Sequence, residues 1–236
     1  MDGVRGTAMA QTTDPDLALL RLLQLVSPSL PVGGFTYSQG IEWAVEAGWI
    51  RNPADLESWV TDQLVGNLAR VDLPLLVRMG EAARARDPAA MIALIERLIA
   101  CRETAELRLE EANRGRALAD LLGAWDLPEA RAWRPLLARS QLAGFAFAVD
   151  AWGLEPRLAA AGYAWSWVEG LVLAGVKLVP LGQTQGQQIL ARIAAQIPAA
   201  LDAALAAGEA DIGASSPALA LASSAHATQY TRLFRS

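Results

Sequence analysis

Leu158-Ala-Ala-Ala-Gly-Tyr-Ala-Trp-Ser-Trp-Val-Glu-Gly-Leu-Val-Leu-Ala-Gly-Val176 is the stretch on which the fold turns. Nineteen residues with Glu169 as the sole charge reach the length of a membrane-spanning helix. A carboxylate inside hydrocarbon is costly, and Gly162, Gly170 and Gly175 favour close helix packing, so the segment reads as the central core helix of a globular protein. Pro156 begins it and Pro180 ends it. Downstream, Gly182 to Ala206 carries a further helix with a kink expected at Pro198. Gly208 to Pro217 is small and polar, and a short helix after Pro217 leads into the closing peptide His226 to Ser236.

Upstream, Pro135 to Ala151 reads as one helix rich in Ala138, Ala143, Gly144, Ala146 and Ala148, preceded by a connection from Gly123 to Arg134. Asp87-Pro88 opens an amphipathic stretch in which Met91, Leu94, Ile95 and Leu98 face inward while Glu96, Arg97, Arg102 and Glu103 face out. Its periodicity runs to about Leu122, with a break expected near Cys101 to Thr104. Asn52-Pro53 caps a helix whose face is Leu56, Trp59, Val60, Gln63 and Leu64, and Asp72 with Pro74 is expected to open another. Tyr37 to Ala47 is expected to be helical, with Gly48 as its cap, and Ser27 to Gly34 is a structured loop. Asp14-Pro15 starts the first helix, rich in leucine, which Pro28 stops. The sum is an all-α bundle of about nine or ten helices over residues 14–225, with Met1–Thr13 as a disordered leader and 226–236 as a separate peptide.

The chain has 236 residues, 53% of them hydrophobic, which is enough apolar material for one sizeable core. With 20 basic and 25 acidic residues it has no general attraction to nucleic acid or anionic membranes. One cysteine, Cys101, excludes an internal disulfide framework and fits the cytoplasm. Several chemistries lack their parts. Gly182-Gln-Thr-Gln-Gly186 has neither the lysine nor the flanking strand of a phosphate loop. Tyr37-Ser38-Gln39-Gly40 lacks the first glycine of a nucleophile elbow, and the sole histidine, His226, lies near the end of the chain. One histidine and one cysteine cannot close a zinc, nickel or copper site within a monomer, which leaves open only a site shared across a dimer; no catalytic residue, metal ligand or cofactor is expected within the chain. The alternative is a helical enzyme for a small apolar substrate, with a pocket lined by Trp43, Trp165 and Trp167.

Three segments stand out. Ser29 to Glu42 mixes permissive glycines with polar groups, and places Glu42 in an otherwise apolar helix, where a carboxylate either faces solvent or is held by a partner. A bare turn over a buried Phe35 is the plainer reading of its loop. Val176 to Thr184 puts Lys177 at a helix C-terminus, which either snorkels to water or joins Gln183 and Thr184 in a polar cluster. The peptide from His226 interleaves Tyr230, Leu233 and Phe234 with Arg232 and Arg235, residue types enriched at interface anchors, and is expected to order on docking a partner.

Leu22 to Phe35 with Tyr37 to Trp43, Val176 to Gln183, and Thr228 to Ser236 together resemble the three signatures of the UreF family of urease nickel-insertion factors. The resemblance implies an all-α fold, a homodimer, and a complex with the UreH/UreD accessory protein that recruits the GTPase UreG and acts on urease apoprotein. It also implies that Glu42, Lys177, Gln183, Gln39 and Tyr37 serve the GTPase side. Gln229, Tyr230, Arg232, Leu233, Phe234 and Arg235 would help bind UreH/UreD. One departure is Ala227, which stands after His226 where the family pattern has a glutamate.

Overall fold

A computed structural model describes residues 14–236, so the expected leader Met1–Thr13 lies outside the described residues. The described residues contain helices and no strand. The α-helices are α1 (Pro15–Val26), α2 (Ile41–Glu46), α3 (Pro53–Gln63), α4 (Leu73–Arg84), α5 (Pro88–Ala100), α6 (Ala105–Ala124), α7 (Ala130–Leu137), α8 (Gln141–Ala151), α9 (Pro156–Leu178), α10 (Gln183–Ala194), α11 (Ile197–Ala206) and α12 (Pro217–His226). They make ten rods if α3 with α4, and α10 with α11, each count as one.

Local chemistry explains most of the boundaries. Asp14, Asn52 and Asp87 each accept two backbone N–H groups of the helix that follows, with proline in its first turn. Thr104 and Ser140 cap α6 and α8 in the same way, each accepting one N–H. Each such cap contributes about 1 kcal/mol by satisfying amides that have no intrahelical partner. The break foreseen between Cys101 and Thr104 is where α5 gives way to α6.

Four expectations are refined or corrected by the structure. Asp72-Pro74 marks the start of α4 without capping it: α3 runs through a π-helix, Leu64–Asp72, directly into α4, and the Asp72 side chain is buried. Its carboxylate is taken by Arg102, which removes it from capping duty. Pro135 sits inside α7, and the interruption comes at Ala138–Ser140, where Ser140 caps α8. The break in 183–206 falls at Ala195–Gln196, leaving Pro198 in the first turn of α11, where its missing N–H costs nothing. Helix α2 starts at Ile41 rather than Tyr37, because Gln39 and Gly40 both take positive φ.

Helix α8 is buried from Leu142 to Val149, which explains its lack of a polar face, and it packs against α4 and α6. Gly115 of α6 permits that approach: a Cβ there would lie 2.7 Å from the Ser140 amide nitrogen. Helix α9 buries Ala159, Tyr163, Val168, Leu171 and Val172, as expected of a central core helix. The described segment apolar and long enough to cross a membrane is 183–206 instead. Leu19, Leu20 and Leu23 of α1 remain exposed, and Leu23 shares a cleft with Leu158 and Trp165.

Candidate partner-binding site

The site begins with a loop that glycine shapes. Gly33 and Gly40 adopt φ of 71° and 80°, bracketing a 3-10 turn at Gly34–Thr36. At Gly40 a side chain would also meet the Ala222 Cβ at 3.0 Å, so this glycine lets α12 lie close to α2. Phe35, expected beneath the turn, is instead 65% exposed. The turn aims Ser38 and Glu42 at a common point, and the end of the chain fills it.

Glu42 is buried, and its Oε1 accepts the Leu233 amide at 2.6 Å while Oε2 accepts the Phe234 amide at 2.9 Å. Oε2 also faces His226 Nε2 at 3.1 Å, and His226 Nδ1 faces Glu106 Oε2 at 2.9 Å. Arg232 donates to Glu106 Oε1 at 2.8 Å. Farther along, the Arg235 amide donates to the Thr36 carbonyl at 2.8 Å, and Ser38 donates through amide and hydroxyl to the Ser236 oxygen at 2.7 and 2.6 Å. Ser236 Oγ meets Glu110 Oε2 at 3.1 Å. Gln229 donates to Glu46, and the Lys177 ammonium lies 5.5 Å from the centroid of the Phe234 ring. A buried carboxylate taking two amides and an imidazole is the arrangement that makes an ionised group tolerable away from water.

The structure therefore joins two sets of residues that the sequence placed in separate segments. Glu42 and Lys177 hold the peptide carrying Gln229, Arg232, Leu233, Phe234 and Arg235. Tyr37 is buried behind it, with its hydroxyl 3.4 Å from the Asn113 amide nitrogen. Gln39 donates to Glu110 Oε1 at 3.0 Å, the carboxylate that Arg114 also pairs with at 2.8 Å. Gln183 is exposed at the first position of α10, and none of the peptide's hydrogen bonds reaches it. The peptide is held by its own chain, so Glu42's partner is intramolecular. Tyr230 and Leu233 nevertheless stay exposed, as do Arg232 and Arg235 in part. Sequence reasoning missed Glu106, Glu110 and Ser38; the available signal was that Glu106 and Glu110 stand four apart on one helix face.

A second buried cluster lies deeper. Arg102 donates to Asp72 Oδ2 at 3.1 Å and to Glu111 Oε2 at 3.0 Å, and Ser140 donates to Glu111 Oε1 at 2.8 Å. Arg102 was expected to face out; it turns inward because α5 ends two residues before it and the carboxylates on the π-helix and α6 converge there. Burial pushes the Glu111 carboxyl up, but Arg102, Ser140 and the Leu142 amide together outweigh burial and hold it below the usual range. Burial raises the Tyr163 phenol well above its ordinary value, and Asp72 and Glu111 add to the rise.

The UreF family profile matches residues 50–194. A urease accessory protein UreF of Pseudomonas putida is 54% identical over 221 residues, covering 94% of this chain and 99% of that protein. One from Alcanivorax borkumensis is 49% identical, covering 93% and 98%. One from Klebsiella pneumoniae is 48% identical, covering 92% and 97%. The chain belongs to the UreF family.

The departure at Ala227 sits at the exposed C-terminal end of α12. In this UreF-family chain the carboxylates around His226 come from α2 and α6 instead. A cleft of about 180 Å³ is lined by Tyr37, Gln39, Glu110, Arg114, Glu169 and Lys177 among others, and burial raises the Glu169 carboxyl there. Trp167 lines this cleft, Trp165 lines a different one on the α1 side, and Trp43 packs edge-to-face on Trp49 at 4.9 Å. The three tryptophans do not share a pocket. No group of three or more His, Cys, Asp or Glu among the described residues is placed to hold a metal ion.

Proposed function

We propose that this urease accessory protein of the UreF family is a cytoplasmic scaffold that binds UreH/UreD, the GTPase UreG and urease apoprotein during GTP-dependent nickel insertion, with nickel as cargo. The observation that carries the reading is the docking of the 226–236 peptide on Glu42 and beneath Lys177. The peptide assigned to UreH/UreD packs over Glu42 and against Lys177, two of the residues assigned to the GTPase. A partner that grips Tyr230, Leu233 and Arg235 thereby bears on Glu42, Gln39 and Lys177, which offers a physical route for modulating the GTPase. Exposed aromatic, leucine and arginine side chains on an ordered peptide suit a protein partner. Net charge of −5 argues against nucleic acid and anionic membrane surfaces.

The exposed leucines of α1, with Leu158 and Trp165, support the homodimer, since a patch of this kind on a monomer marks an association surface. Co-expression with UreH/UreD followed by size-exclusion chromatography is expected to give a co-eluting complex. Deleting Thr228 to Ser236 is expected to weaken it. Independent elution of the two full-length proteins would overturn the reading.

A further inference from the structure

We infer that the cleft lined by the 27–39 loop and α9 is a socket for one uncharged apolar residue of a partner polypeptide, of leucine or phenylalanine type, whose peptide carbonyl is taken by Arg114.

An orphaned donor points to the carbonyl. Arg114 of α6 gives Nη1 to Glu110 Oε1 at 2.8 Å, while its Nε is buried with no acceptor among the described residues. Its Nη2 lies 3.4 Å from where a Cβ on Gly34 would stand, so the lack of a side chain there keeps this edge of the guanidinium uncovered. A buried N–H without an acceptor is costly, and Nε with Nη2 makes a fork suited to an oxygen. Both Arg114 and Gly34 line the cleft.

The charges select a neutral group. The ionisable side chains that line the cleft with carboxylates or cations are Glu110, Arg114, Glu169 and Lys177, two of each sign, and Arg114 is already paired with Glu110. A carboxylate or phosphate brought to Arg114 would lie beside Glu110 as well, and an ammonium would meet the guanidinium. A carbonyl oxygen satisfies Nε and leaves the pair balanced.

The walls select the side chain. Leu25, Leu30, Val32, Leu171 and Ala174 line a space of about 180 Å³. An apolar cavity of about 150 Å³ takes a benzene-sized group. Gly170 of α9 contributes bare backbone to this wall, and a Cβ there would meet no heavy atom within 4 Å.

The surroundings select a polypeptide as the source. Phe35 lines the cleft and is 65% exposed, and Tyr37 and Glu110 line both this cleft and the groove bordered by Arg232, Leu233 and Phe234. An exposed aromatic beside an apolar pocket is the composition of a protein interface anchor. The inference rests on the scaffold reading only in taking the partner to be a protein.

The probe is acetyl-leucine amide, a neutral leucine with a peptide carbonyl, and acetyl-leucine and leucinamide are its anionic and cationic counterparts. Added to the full chain at millimolar concentration, the range expected of so small a ligand, it should shift the Arg114 Nε–H signal in nitrogen-15 spectra. That signal is assigned by its loss in Arg114→Lys. The charged counterparts should bind about tenfold more weakly or worse, because each brings a charge into an apolar cleft. Gly170→Leu fills the space and should abolish binding. Arg114→Lys keeps a cation beside Glu110 but has no Nε–H, and should weaken binding about tenfold; it decides the matter if Gly170→Leu does not fold. No Arg114 shift with the neutral probe, equal binding by these variants, or tighter binding of a charged counterpart would overturn the inference. Co-expression with UreH/UreD and UreG separates it from the scaffold reading: a complex that forms equally with the native chain and with folded Gly170→Leu overturns the socket alone.

Discussion

Two buried carboxylate clusters, both drawing on α6, hold this molecule together in different ways. The inner one pairs Asp72 and Glu111 with Arg102, and Ser140 and the Leu142 amide complete the set. The outer one pairs Glu42 and Glu106 with His226 and Arg232, and the Leu233 and Phe234 amides complete it. Glu106, Glu110 and Glu111 lie on one helix, so α6 serves both. An arginine does not lose its proton at any pH a protein survives, whereas an imidazole does. The inner cluster joins helices fixed from all sides; the outer joins a helix to a peptide with no further secondary structure beyond α12. One ties helix to helix, and the other ties the bundle to the last residues of the chain.

Removing the cation of the inner cluster should show the largest effect. Arg102→Met leaves Asp72 and Glu111 buried without a counter-charge, an arrangement that costs roughly 3–5 kcal/mol. Urea denaturation of the native and substituted chains measures it, and a loss below 1 kcal/mol would mean the inner cluster is not a true ion pair. Acid probes the same cluster without mutation. Because the Glu111 carboxyl titrates lower in the folded chain than its ordinary value of 4.5, its stabilising contribution is present above that value. It is lost as pH falls through the depressed folded value. Glu111→Gln should therefore destabilise the chain at neutral pH and flatten the acid limb of its stability curve.

The difference between the clusters also explains what could be read in advance. Helix type and most helix starts were legible, because Asp14-Pro15, Asn52-Pro53 and Asp87-Pro88 act on their own neighbours and need no tertiary partner. Asp72-Pro74 has the same local pattern and stands at the start of α4 but makes no cap, because Arg102, thirty residues away, holds the carboxylate. The π-helix beside it has no sequence signal of its own. In the site, Glu42 announced itself as a carboxylate among apolar neighbours, and the aromatic-arginine composition of the final peptide marked it as an anchor. That each is the other's partner was hidden, since the contact spans 191 residues. Glu106 was not singled out in the sequence, and only the fold brings His226 and Arg232 to it.

The outer cluster predicts smaller and more local effects. Glu42→Gln keeps one acceptor but sets an amide N–H₂ against the Leu233 or Phe234 N–H or against His226. Unpairing a buried polar group costs about 1–3 kcal/mol, which falls on the docked peptide rather than on the bundle. Amide exchange at Leu233 and Phe234 should accelerate by about tenfold or more, with little change in the urea midpoint. A large drop in that midpoint would place the outer cluster in the same cooperative unit as the inner one and erase the contrast between them.

The smallest effect is expected at Lys177, whose ammonium reaches the Phe234 ring from the exposed end of α9. A cation over an aromatic face at a wet site contributes about 0.5–1 kcal/mol, so Lys177→Ala should loosen the peptide only about two- to fivefold in the same exchange measurement. Lys177→Arg should restore most of it, because a guanidinium also stacks on the ring. Any effect on GTPase engagement would then separate two roles for this lysine. If Arg restores docking of the peptide but not a complex with UreG, the ammonium is read by the partner directly; if it restores both, Lys177 acts through Phe234.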